Sequence, residues 1–234
     1  VNFQADISGN AGLGKQTAGG VFMYSGYNNS IETVGTLNAA AGQGVISVNR
    51  WNAGGSPTLQ LGSLGTRAGG ATVDFQTPNG AIKILNGGTL VNGLLGTGTT
   101  GWAATYMGTD FATLTGNQVD MYSGYNAFSG TGLSGTSNYL LSTSSSTSSA
   151  GTVNSLKMTG TGTLTLGGVL SLNSGAVLFD NSSGAMTITN NGVPANTLGA
   201  SGLELIIITN GSAPTSALNV NARIGSGGAS LTKT

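Results

Sequence analysis

Gly9 to Lys15 spells G-x-x-x-x-G-K, the body of a phosphate-cradling loop, with Thr17 close behind. That chemistry needs Ser or Thr directly after the lysine to ligate magnesium, and Gln16 stands there instead. It also needs a helix whose first amides aim at phosphate, whereas Ala18-Gly19-Gly20-Val21-Phe22 reads as turn and strand. A strand followed by a turn accounts for the same letters, so no nucleotide or other cofactor is expected.

Acid–base chemistry on polysaccharides is the second candidate, because it needs two carboxylates converging on one face. The acids Asp6, Glu32, Asp74, Asp110, Asp120, Asp180 and Glu204 are scattered singly, as are Arg50, Arg67, Lys83 and Arg223. Asp110 and Asp120 share one loop-like region and are the pair a fold could join. Solvated charges that discourage sideways aggregation of strands explain the pattern better, so the chain reads as a non-enzyme. Metal binding has little support: His and Cys are absent, no acids cluster and the G-G-x-G-x-D calcium pattern is missing, and although a loop Asp with carbonyls could hold one calcium, nothing in the sequence selects it.

Aromatic rings are the third candidate. Tyr24, Tyr27, Trp51, Trp102, Tyr106, Tyr122, Tyr125 and Tyr139 could stack on sugar faces. If loops within Gly93–Thr152 grip a glycan, then Trp102, Tyr106, Tyr122 and Tyr125 are the ligand residues. The plainer reading is that most of these rings cover a thin core. The row Thr159, Thr161, Thr163 and Thr165 would suit a flat ice-binding face, but such threonines are ordinary in β-repeats.

Composition narrows the partners. Seven basic and seven acidic residues in 234 give no net charge, which leaves no basic patch for nucleic acid or anionic membrane. The longest apolar run, Leu203 to Ile208, is too short to span a bilayer and carries Glu204. With 42 glycines, 4 prolines and no cysteine, the chain stays below the roughly 25–30% Gly plus Pro of disordered segments. It should collapse around a lean core. Val1 in place of Met reads as a processed end, or as a cut from something longer.

The elements that would hold these residues are strands. Helical spacing is nearly missing, while short alternating segments recur: Val45–Val48, Thr58–Leu61, Ala71–Phe75, Ala81–Ile84, Leu164–Leu166, Val169–Leu172, Val177–Phe179, Ala185–Thr189, Leu203–Ile208 and Ala217–Ile224. Asn79-Gly80, Asn86-Gly87-Gly88, Gly167-Gly168 and Asn191-Gly192 punctuate them as turns. Such spacing fits a sandwich, a barrel or a solenoid. Self-similarity favours the last. Val1-Asn2-Phe3-Gln4-Ala5-Asp6-Ile7 matches Leu218-Asn219-Val220-Asn221-Ala222-Arg223-Ile224, and Met23–Asn28 recurs letter for letter as Met121–Asn126. The expected fold is thus all-β, a right-handed parallel β-helix (β-solenoid) with protruding loops. Residues 1–234 would form one module of a longer array, with about ten coils in a rod on the order of 50 Å. Residues 93–152 would be a loop-rich insertion, with Ser142–Ser149 an exposed loop.

Leu156-Lys157-Met158-Thr159-Gly160-Thr161-Gly162-Thr163-Leu164-Thr165-Leu166-Gly167-Gly168 resembles the recurring element of the autotransporter-associated β-strand repeat family, also called passenger-associated transport repeats. Leu13-Gly14-Lys15 with Gly19 to Gly26 is a degraded version, and Leu231-Thr232-Lys233-Thr234 is its opening. The resemblance implies an extracellular right-handed β-helix at the bacterial cell surface, an autotransporter passenger without the family's translocation barrel.

The functional expectation is a non-enzymatic structural stalk or head-to-tail fibre, partnered by itself. Val1, Phe3, Ala5, Asp6 and Ile7 would meet Leu218, Val220, Arg223 and Ile224 of a neighbour by strand addition, with Asp6 facing Arg223. The alternative is an adhesin or carbohydrate-binding module that recognises surface glycans.

Overall fold

A computed structural model describes residues 16–18, 20–51, 53–86, 88–97, 100–142, 146–180, 184–200, 204–210, 216–225 and 230–234. Two compact units divide the chain, Val1–Tyr122 and Ser123–Thr234.

The first unit begins with β1 (Gln16–Ala18), β2 (Val21–Gly26), β3 (Ile31–Arg50), β4 (Thr58–Arg67), β5 (Ala71–Gln76) and β6 (Ala81–Asn86). It continues with β7 (Thr89–Val91), β8 (Leu94–Thr97), β9 (Thr100–Gly101), β10 (Thr105–Tyr106), β11 (Asp110–Thr115) and β12 (Gln118–Met121). The long strand β3 serves two neighbours. Ile31 to Ala39 run parallel to β4, and Gly42 to Ser47 run parallel to β5. Gly42, at φ 66°, sits where one partner gives way to the other, a conformation that costs glycine least.

Alternation sets the inward face. Leu59 and Leu61 of β4, Val73 and Phe75 of β5, and Ile82 and Ile84 of β6 are buried in one core with Ile46, Val48 and Trp102. Closure comes from β10 to β12. A turn at Met107–Thr109 reverses β10 into β11, and Gly116 at φ 64° lets β11 fold back on β12. β12 then lies antiparallel to β6, while β10 lies parallel to β5. The path β3–β4–β6–β12–β11–β10–β5 therefore returns to β3 as a closed seven-strand ring of mixed direction.

One buried carboxylate fastens the closing segment. Asp74, 4% exposed, accepts hydrogen bonds from the Thr105 hydroxyl and the Gly108 N–H on Oδ1, and from Gln76 Nε2 on Oδ2, each at 2.8 Å. Ala103 and Met107, at φ 48° and 56°, flank this anchor in left-handed conformations that side chains usually avoid.

The second unit comprises β13 (Asn126–Ala127), β14 (Asn138–Leu141), β15 (Ser146–Ser148), β16 (Gly151–Met158), β17 (Gly162–Leu166) and β18 (Leu170–Asp180). After them come β19 (Ala185–Thr189), β20 (Thr197–Ala200), β21 (Glu204–Asn210), β22 (Ala217–Val220), β23 (Arg223–Ile224) and β24 (Ser230–Lys233). Its pairings are parallel. One ladder runs β13–β14–β16–β18 and splits into β20–β23 and β21–β24, and the other runs β15–β17–β19–β22. Leu156, Leu164, Leu172, Val177, Phe179, Met186, Ile188 and Leu198 pack between them. Within the first ladder, buried Asn138 accepts from Asn154 Nδ2 at 2.6 Å and Ser155 Oγ at 2.8 Å, so this polar row is internally satisfied.

The right-handed parallel β-helix with protruding loops is overturned, and the ten-coil rod falls with it. Among the described residues, a closed mixed ring and further small sheets make an all-β architecture with no clear right-handed parallel β-helix. The reason is local. Short alternating strands and glycine turns specify where the chain reverses, whereas the reversals at Met107–Thr109 and Gly116 decide that the returning strands close a ring. Residues 93–121 hold β8 to β12, and Ser142–Ser149 contributes β15.

Candidate functional site

The last row of the second unit is where its core stops. Each of β22, β23 and β24 is paired on one side only among the described residues, to β19, β20 and β21 respectively. Their inward side chains continue buried columns: Leu218 beside Met186, Val220 beside Ile188, Ile224 beside Leu198, and Leu231 beside Leu205. Leu218 and Val220 are half-buried, Ile224 is exposed, and Leu231 is 52% exposed. An apolar layer and three open strand edges therefore coincide.

The sequence expectation had Ala217–Ile224 as one strand. Asn221 and Ala222 break it, both donating their N–H to the Ile188 carbonyl at 2.8 and 3.0 Å, and β22 and β23 pair in different sheets. Leu218, Val220 and Ile224 thus share one row, while Arg223 is an exposed residue paired in register with Thr197. Leu231 belongs to the same layer. Its pairing with Leu205 could not be read from a segment that shows only one apolar residue between polar ones. Val1, Phe3, Ala5, Asp6 and Ile7 lie outside the described residues, as does the Gly9–Lys15 stretch.

Of the four aromatic ligand candidates, Trp102, Tyr106 and Tyr122 belong to the first unit and Tyr125 to the second, and each is engaged in its own way. Trp102 is fully buried in the ring core, and its indole N–H has no hydrogen-bond partner among the described residues. Tyr106 is half-buried and hydrogen-bonded through its hydroxyl to Thr77. Tyr122 lies against Gly93, where an added Cβ would meet its ring at 2.7 Å. Tyr125 lies under the Lys157 ammonium, 5.6 Å from the ring centre, a cation–π contact. The rings that stand most clear are Tyr27 and Trp51.

The carboxylate pair does not converge. Asp120 is directly opposite Thr113, whereas Asp110 lies three residues away on the same strand as Thr113. An odd offset places them on opposite faces, about 10 Å apart along the strand. Among the described residues no three His, Cys, Asp or Glu side chains gather where they could hold a metal ion, and no helix is long and apolar enough to cross a membrane. Of the threonine row, β17 carries Thr163 and Thr165 only. Compared with protein-family models, curated proteins and solved structures, the chain matches none, so the resemblance to autotransporter-associated repeats rests on its quoted residues alone.

Proposed function

We propose that this chain is a non-enzymatic, extracellular structural module whose last row takes up a strand from another copy. The observation that carries this reading is the layer of Leu218, Val220, Ile224 and Leu231, bounded by three strands that among the described residues are paired on one side only. A strand that covers it must present apolar residues at alternate positions and follow the same bend. Val1–Ile7 repeats the pattern of Leu218–Ile224 and is the natural occupant. In that register Asp6 would face Arg223, whose exposure limits the pair to at most about 1 kcal/mol.

Magnitudes limit the strength. Burying four partly covered aliphatic side chains contributes roughly 4–8 kcal/mol, comparable to the lower range of association costs, ~4–15 kcal/mol. Backbone pairing supplies the surplus, so association is expected to depend on concentration in the micromolar range. Sedimentation velocity across that range should show the wild type associating. Leu231→Lys with Ile224→Lys, both at exposed positions, should remain monomeric with an unchanged far-ultraviolet spectrum. Deletion of residues 1–7 should do the same, and association that survives the deletion would remove the head-to-tail pairing.

A further inference from the structure

Tyr27 and Trp51 are 62% and 73% exposed, although both belong to a tightly bonded corner. The β2–β3 register ends at Gly26 beside Arg50, and Trp51 N–H donates to the Gly26 carbonyl at 2.8 Å. Continuing that register by one residue puts Tyr27 opposite Trp51, at the ends of strands about 4.8 Å apart. The turn behind them is closed by Ser30 N–H to the Tyr27 carbonyl at 3.1 Å and by Tyr24 Oη to Ser30 Oγ at 2.8 Å. Ser56 N–H binds Asn29 Oδ1 at 2.8 Å, and Gly55, at φ 87°, passes so close to Asn28 that an added Cβ would lie 2.3 Å from its backbone. The rings are therefore presented on a rigid support rather than on a loose loop.

The outer face leading to them is mixed. Val21 and Met23 of β2 are exposed there, Ser25 follows, and the paired positions on β3 are Val45, Ser47 and Asn49. Asn79 Nδ2 bonds Asn49 Oδ1 at 3.0 Å, which brings a second amide to the same corner. Arg50, exposed and next to Trp51 in the chain, is the charged residue of this corner, and its guanidinium N–H groups can donate to sugar hydroxyls. Leaving two large rings in water forgoes the burial that usually places them inside. A continuous protein interface would call for an apolar centre, and here hydroxyl and amide groups alternate with the apolar ones.

We infer that the Tyr27–Trp51 corner is a binding ledge for a neutral glycan chain. Sugar C–H faces stack on the two rings, and Ser25, Asn49 and Asn79 meet the hydroxyls. The strip from Val21 to Tyr27 is ~20 Å long, room for several sugar rings. This inference is independent of the pairing at the C-terminal row.

The chain supplies its own reporter, because its two tryptophans differ in burial: Trp102 is enclosed and Trp51 is not. Tryptophan emission would be followed while cellohexaose, laminarihexaose, chitohexaose and maltohexaose are titrated in. At least one should give a saturable blue shift arising from Trp51, and heparin and polygalacturonate should not. By calorimetry, Trp51→Ala should abolish binding and Tyr27→Ala should weaken it about tenfold, with the far-ultraviolet spectrum unchanged. The inference is overturned if no neutral oligosaccharide shifts the emission, or if Trp51→Ala binds like the wild type. It is equally overturned if Trp51→Ala changes only the sedimentation coefficient, which would make the corner a contact between copies.

Discussion

Replacing Asp74 with alanine is expected to cost the first unit about 3–5 kcal/mol, since three donors are stranded and each unsatisfied group costs ~1–3 kcal/mol where it is buried. The Thr105 hydroxyl, the Gly108 N–H and the Gln76 amide all lose their acceptor at once. The loss is compounded by backbone conformation. Met107 and Gly108 are held at φ 56° and 70°, and without the anchor the ~1 kcal/mol strain at Met107 is offset only by its own bonds to Phe75 and Thr77. Asp74→Asn should cost only about 1 kcal/mol, because Oδ1 still accepts twice and Gln76 can turn its amide to present oxygen. Urea denaturation followed by tryptophan emission reads this unit alone, since both tryptophans, Trp51 and Trp102, lie within Val1–Tyr122. An alanine variant within about 1 kcal/mol of the wild type would mean that the carboxylate does not hold the ring closed.

Trp102→Ala should be comparably severe, about 3–5 kcal/mol, since it empties the centre of the ring. Trp102→Phe separates packing from polarity. It removes some volume, which costs about 1–2 kcal/mol, and also removes an indole N–H that is buried without a partner, which returns about 1–3 kcal/mol. The phenylalanine variant should therefore stay within about 1 kcal/mol of the wild type. Circular dichroism during urea denaturation measures both. A phenylalanine variant as damaged as the alanine one would show that the indole N–H is doing something the aromatic volume alone does not.

Much of the strand content was legible, and its connectivity was not. Ala185–Thr189 is a strand with those same bounds, and Thr58–Leu61, Ala71–Phe75 and Ala81–Ile84 each lie inside an observed strand that starts at the same residue. Alternation of apolar and polar residues records which side of a sheet a residue faces, and that is a local property. It carries no record of the partner. Met23–Asn28 and Met121–Asn126 make the point with identical letters: the first continues β2 to Gly26 and then turns, while the second leaves β12 after Met121 and enters β13 at Asn126. Likewise Trp102 read as a potential sugar platform because an indole offers both an apolar face and a polar edge. Its complete burial follows from ring closure by β10 to β12, which no neighbouring residue announces. The uncovered layer was half visible: Leu218, Val220 and Ile224 alternate in the sequence, but Leu231 joins them only through its pairing with Leu205.

The two units should come apart differently. In a closed ring every strand has neighbours on both sides, so there is none to peel first, and amides of β4, β5 and β6 should exchange with deuterium together, in a single cooperative opening. Among the described residues, the parallel ladders of the second unit end in strands that are paired on one side only. Exchange there should begin in the end strands, β22, β23 and β24 on one side and β13 and β15 on the other, and advance inward strand by strand toward β16 and β17, giving a graded profile where the ring gives a step.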